Sequence, residues 1–245
     1  MISILLPTRK RPKQLERLVN SLRETSSILP EVVVYIDDDD QETICKANEL
    51  NLKLVIGSRA DCFTDTWSLS DMWNKCYYHS TGDIVVTCGD DVVFLTPNWD
   101  VIVEACFAEY PDRIVMVHGS VLFEGNVWSN NNHPILHRRS VEAVGYFSPP
   151  YPPFTGNDFW WRDVFTYLNR VRHLPFIMDH LHYTVDKSEF DETYKESMKR
   201  SPFIDAMAKY YQMSYERLED TAKLQAVIDQ YSMENSNDLS FASNA

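Results

Sequence analysis

The chain alternates between short runs of consecutive apolar residues and longer stretches whose apolar residues recur every three or four positions. "ISILL", just after Met1, reads as a strand. From Pro12 to about Arg23, the spacing of Leu15, Leu18, Val19 and Leu22 predicts a helix with one apolar face and proline in its first turn. "VVVYI" (32–36) and "LKLVI" (52–56) are the next strands, with a short helix between them. Leu69, Met72, Trp73 and Cys76 form one stripe of a helix over 66–79. "DIVVTC" is a fourth strand, Pro97 opens a helix carrying Val101, Ile102, Ala105 and Cys106, and "IVMVH" (114–118) is a fifth strand.

Strands that are apolar on both faces and separated by helices predict an α/β fold, a mostly parallel sheet covered on both sides. In such sheets ligands bind beyond the carboxyl ends of the strands. Two acidic groups fall at that rim: the run Asp37, Asp38, Asp39, Asp40 after the second strand, and the pair Asp90, Asp91 after the fourth. Alone, the acidic run reads first as a solvated turn. After residue 119 the pattern changes to "GNVWSNNNHP" and "GYFSPPYPPFTGN", rich in Asn, Pro and aromatics. A helix over about 158–170, an extended piece near 171–185 and a helical region over 202–231 follow, and "SMENSNDLSFASNA" reads as a frayed tail. The expected organisation is a main domain over 1–200, a C-terminal helical extension over 201–231 and a flexible tail over 232–245.

With 245 residues, 44% hydrophobic and 13% aromatic, the chain supports a sizeable core, which excludes global disorder. The net charge of −13 repels a phosphate backbone at long range and argues against nonspecific nucleic-acid binding. It leaves room for a nucleotide whose charge is screened by a metal ion. Five cysteines, an odd count without CxxC spacing, fit reduced thiols. "ISILLP" is too short for a signal peptide or a membrane span. A soluble, cytoplasmic protein is the expectation.

Three stretches carry candidate chemistry. In "GDIVVTCGDDVVF", two carboxylates beside a glycine at a strand end suit a hard divalent cation, Mn²⁺ or Mg²⁺, shared with a diphosphate. The plainer alternative is an Asp-rich turn. In "FTGNDFWWRD", Asn157 or Asp158 before an apolar helical run has the form of an N-cap, and Asn157 can cap while Asp158 projects. "MDHLHYTVDK" spaces His180 and His182 so that both point the same way from an extended chain. The aromatics between 146 and 161 either pack a core or stack on a sugar or base.

Taken in order, these pieces resemble the GT-A glycosyltransferases, specifically the large inverting family two, over about residues 1–180. The family opens with a strand and P-T-x-x-R, matched by Pro7, Thr8 and Arg11. It places an Asp after the second strand, an Asn in the helix before x-G-x-h-h-h-h-x-D-D (Asn74, then Gly82 to Asp91), and a G-E-D or N-D motif opening a later helix (Asn157, Asp158). The sequence departs from the usual Asp-x-Asp, since Gly89 or Asp90 stands where the first Asp is expected. The resemblance implies a metal-dependent inverting enzyme that moves a sugar from a nucleotide diphosphate, expected to be UDP, to a hydroxyl. It implies a donor site of Pro7, Thr8, Arg9, Arg11, Asp37, Asp38, Arg59, Asn74 and Asp90, with Asp38 favoured in the uridine pocket and Asp37 next. Asp91 becomes the metal ligand, joined by His182 in preference to His180, and Asp158 becomes the general base. Trp160, Trp161 and Tyr151 are expected to face the acceptor. That acceptor is either a glycan or a hydroxylated nucleobase in DNA, since compact members of this kind occur among phage proteins; a phage-encoded chain would work in the host cytoplasm. Two rivals stand beside this reading. A nucleotidyltransferase would normally carry a Gly-rich phosphate loop, absent from "LLPTRKRP"; a non-catalytic nucleotide- or carbohydrate-binding module would bind donor without turnover.

Overall fold

Every residue from Ile2 to Leu6 and from Val32 to Asp37 is buried, so these two segments form the centre of a sheet with both faces covered. The computed structural model describes residues 1–59, 69–123, 126–129, 132–149, 157–185, 187–200 and 203–242. Its first half runs β1 (Ile2–Thr8), α1 (Pro12–Thr25), β2 (Glu31–Asp37), α2 (Gln41–Glu49), β3 (Lys53–Gly57), α3 (Leu69–His79) and β4 (Ile84–Thr87). These four strands are mutually parallel.

The second half is β5 (Val92–Phe94), α4 (Trp99–Ala108), β6 (Met116–Phe123), β7 (Asn126–Ser129), β8 (Ile135–His137), α5 (Arg138–Val144), α6 (Asn157–Tyr167), β9 (Val171–His180), α7 (Glu192–Arg200), α8 (Phe203–Gln212) and α9 (Ser214–Ala242). Among the described residues the strands form one mixed sheet in the order β3-β2-β1-β4-β8-β6-β9-β5, with β7 paired to β6. β8 joins β4 and β6 antiparallel, while β6 and β9 are parallel.

The two-residue period of the strands divides the core. Ile4, Leu6, Val34, Ile36 and Val86 face a layer of α1, α2 and α4 through Leu15, Leu18, Ala47, Trp99 and Phe107. Leu5, Val33, Tyr35 and Val85 face α3, α5, α6 and α9 through Met72, Cys76, Val141, Trp161, Phe165 and Leu224. The C-terminal α9 therefore shares the second core layer. α9 continues to Ala242, so residues 232–242, expected as a tail, are helical. The helix opened by Pro97 starts at Trp99, and the one expected over 158–170 spans Asn157–Tyr167. Gly145 adopts φ 103° and ends α5, a conformation that favours glycine.

Candidate active site

The carboxyl ends of β1, β2 and β4 form a rim where the turn after β1 meets both acidic groups. Thr8 Oγ1 donates to Asp90 at 2.6 Å, and Arg11 reaches the other oxygen of Asp90 at 3.0 Å. Lys10 takes a left-handed φ of 54°, which turns its backbone N–H toward Asp40 at 2.5 Å. Asp40 also accepts from the N–H of Thr43 and so caps α2, a structural task that removes it from the chemistry.

The four aspartates have separate fates. Asp37 is 2% exposed; one oxygen takes Arg9 at 3.0 Å and Arg59 at 3.2 Å, while Oδ1 is buried with no hydrogen-bond partner among the described residues. Burial raises its pKa against the pull of the two arginines. Asp38 is exposed and accepts from the backbone N–H of Arg59 at 2.9 Å, and Asp39 pairs with Arg9. Asp37 lines the cavity, and Asp38, the residue favoured for the uridine pocket, is not among its described lining residues.

Asp91 follows β4, and a Cβ on Gly89 would stand 2.6 Å from its Oδ1, so glycine makes room for the carboxylate. The β5–β9 ladder pairs Val92 with His180, and the N–H of Leu181 donates to the Asp91 carbonyl at 2.7 Å. That register brings His180 Nε2 to 3.2 Å from Asp91 Oδ2, where the Tyr194 hydroxyl also donates at 2.7 Å. Burial alone would raise the Asp91 pKa; His180 and Tyr194 outweigh it and hold the carboxyl well below the usual range. Burial pushes Asp90 up, and the charge of Asp91 adds to the rise against the pull of Arg11.

His180, rather than the preferred His182, thus faces Asp91; His182 also borders the cavity but bonds Thr184 Oγ1 at 2.8 Å. A residue the sequence reading missed, His133, lies edge-on to His180 with ring centroids 5.0 Å apart. Its Nε2 is buried without a hydrogen-bond partner among the described residues, and burial together with His180 pushes its pKa down to about 3, so the ring stays neutral. Asp158 sits in the first turn of α6 and lines the same cavity. Burial pushes its carboxyl up to about 6, although the N–H groups of Phe159 and Asp158 favour the ionised form. The described part of this helix begins at Asn157.

The cavity has a volume of about 380 Å³, at the lower end of the range for small-ligand sites. Pro7, Thr8, Arg9, Arg11, Asp37 and Arg59 border it beside Asp90, Asp91, His180 and Asp158. Among the described residues no three His, Cys, Asp or Glu side chains form a closed metal cage. A carboxylate with an adjacent imidazole fits Mn²⁺ or Mg²⁺ of the kind that takes its remaining ligands from substrate oxygens.

No family model matches the chain, and no curated protein matches it. Solved structures do. The first 349 residues of S. aureus TarS match with TM-score 0.53 and 16% identity, over 73% of this chain and 59% of that one. Glucosyl-3-phosphoglycerate synthase from Mycobacterium tuberculosis, in a complex with Mn²⁺, UDP and glucosyl-3-phosphoglycerate, matches with TM-score 0.55 and 16% identity, over 74% of this chain and 72% of that one. The chain has the GT-A fold.

Within this GT-A fold three expected site residues serve the core. Asn74 accepts from the N–H groups of Phe147 and Ser148 at 2.9 and 2.8 Å and donates to the Ser148 carbonyl at 2.8 Å. It clamps a loop and does not border the cavity. Asn74→Ala should therefore lower the stability by about 1–3 kcal/mol in chemical denaturation, because two backbone donors lose their acceptor, while nucleotide affinity per folded molecule stays unchanged. Trp160 and Trp161 are each 1% exposed and donate their indole N–H to Asp220 and to the Phe147 carbonyl, which takes both away from any acceptor. Tyr151 lies outside the described residues.

Proposed function

We propose that the chain is a metal-dependent glycosyltransferase that moves a sugar from a nucleotide diphosphate, UDP by preference, to a hydroxyl acceptor with inversion. The observation that carries this reading is the convergence in one cavity of a buried Asp37 carboxylate oxygen that has no partner among the described residues, the Asp91–His180 pair and the raised-pKa Asp158. The buried Asp37 Oδ1 is a ready acceptor for an N–H or O–H of the nucleoside. Asp91 and His180 would hold Mn²⁺ or Mg²⁺, which neutralises the negative charge of a leaving diphosphate. Asp158 takes the proton of the acceptor hydroxyl as its oxygen bonds to the anomeric carbon and the bond from that carbon to the diphosphate breaks. Complexes of the mycobacterial neighbour with UDP and Mn²⁺ or Mg²⁺, and with phosphoglyceric acid, support the same division into donor and acceptor.

For the acceptor, we favour a glycan or other small hydroxyl compound over a nucleobase in DNA. The two tryptophans that would have stacked on an extruded base are core residues, and the net charge is −13. Among the described residues no helix is long and apolar enough to cross a membrane.

Calorimetry with UDP and Mn²⁺ tests the donor site. Asp37→Ala should weaken binding by about 1–3 kcal/mol, and Asp38→Ala should leave it nearly unchanged. A nucleotide-sugar panel scored by release of free nucleoside diphosphate then tests turnover. Binding without release under any acceptor would make the chain a binding module, and no UDP binding at all would sink the donor reading.

A further inference from the structure

We propose that α7 is an autoinhibitory strap whose side chains occupy the groups that a donor diphosphate and its cation require, so that nucleotide binds by displacing it. The inference rests on the donor reading above and adds a control built into the same site.

Among the described residues three arginines border the cavity, Arg9, Arg11 and Arg59; each is held by carboxylates, and α7 with its capping residue supplies a share to every one. Asp191 takes the Arg11 guanidinium in a two-pronged contact at 2.7 and 2.8 Å. Glu196 takes Arg59 at 2.7 Å and stands 3.9 Å from Arg9. Diphosphate oxygens recognise guanidinium groups through the same forked geometry and the same charge. Asp191 and Glu196 therefore stand in for phosphate groups on these arginines. Between them, Tyr194 gives its hydroxyl to Asp91 Oδ2 and lays its ring 4.0 Å from the Arg11 guanidinium carbon. Thr193 fastens the same turn to the Arg9 carbonyl at 2.9 Å. One helical turn thus engages the candidate metal ligand and the candidate phosphate ligands together.

The attachment is of a kind that a ligand can displace. None of residues 191–196 is fully buried, and the carboxylates of Asp191 and Glu196 are 29% and 34% exposed. The turn packs on Tyr183 and Phe190, and Phe190 is itself 43% exposed. The guanidinium halves of these pairs are only 7–14% exposed, so displacement requires a ligand that supplies anionic groups of its own, as a diphosphate does; segments with few buried apolar contacts open at low cost. The helix keeps its own start, since Asp191 Oδ1 accepts from the Tyr194 N–H at 3.0 Å, so it moves as a formed unit.

The double variant Asp191→Asn/Glu196→Gln removes both charges while keeping the cap and the side-chain shapes. UDP with Mn²⁺ should bind it about tenfold more tightly than the wild type, a gain of about 1.4 kcal/mol. In the wild type, UDP with Mn²⁺ should raise hydrogen exchange across residues 192–200. Equal or weaker UDP affinity in the variant overturns the strap and leaves the donor reading intact. Slower exchange across 192–200 on binding also overturns it, because α7 would then be a cover that closes on the donor. Binding to neither protein removes both the donor reading and the strap, whereas binding to the variant alone supports both strongly.

Discussion

Asp91→Asn should reduce sugar transfer by roughly 10³-fold or more while the protein stays folded. The charge stabilisation that a bound cation gives a leaving group is worth several kcal/mol, and about 1.4 kcal/mol corresponds to each tenfold in rate. Asparagine keeps the size of the side chain and an acceptor for the Tyr194 hydroxyl, so the local geometry survives. What it lacks is the negative charge that attracts a cation and raises the His180 pKa against burial. The effect separates from misfolding by thermal melts with Mn²⁺ and UDP. Ligand at one hundred times its Kd stabilises the fold by about 2.7 kcal/mol; the wild type should show such a shift and the variant should show almost none. Chelation of the wild type should reproduce the variant, and full activity in excess chelator would overturn the assignment.

The parts of this fold that the sequence discloses are those whose burial is complete. β1, β2 and β4 are apolar at nearly every position because helices cover both faces, and this alone predicts where the two acidic groups emerge. β5 and β8, with three residues each, carry no period of their own and exist through their partners β9, β4 and β6. The choice between Asp37 and Asp38 turned on one residue of register. β2 extends through Asp37, whose partner is Gly57, so Asp37 shares a face with Tyr35 and both border the cavity. A shift of one residue along a strand exchanges the faces, and only the ladder fixes it. Trp160 and Trp161 show the opposite problem. An aromatic pair in the first turns of a helix reads alike for a core and for a binding surface until the partners of the indole N–H groups are known, and these come from Asp220 and Phe147. His133 lies in a polar stretch, "NNNHP", without any period, and its place beside His180 is purely tertiary. α7 has no aliphatic stripe in "ETYKES", and the arginines and Asp91 fix its position.

Asp158→Asn should separate catalysis from stability in opposite directions. A general base accounts for roughly 10²–10⁴-fold in rate, and in the role proposed for Asp158 the variant should lose that factor with UDP affinity almost intact. Its carboxyl is pushed from 3.8 up to about 6 in the folded chain, burial being the main cause. A group whose pKa is raised on folding favours the fold below its unfolded pKa and loses that advantage as the pH rises through the folded value. At pH 7–8 the ionised carboxylate is therefore a cost to the fold, and a shift of this size corresponds to roughly 1–3 kcal/mol. The neutral asparagine removes that cost, so the variant should melt higher than the wild type at pH 8 and show little difference near pH 4. A carboxylate that served only to stabilise the helix start would give the reverse, a loss of about 0.3–1 kcal/mol at neutral pH. The wild-type rate should also fall with decreasing pH through about 6, as the base takes up its proton. Near-wild-type transfer by Asp158→Asn, or a lower melting temperature at pH 8, would send the search for the base elsewhere on the cavity wall.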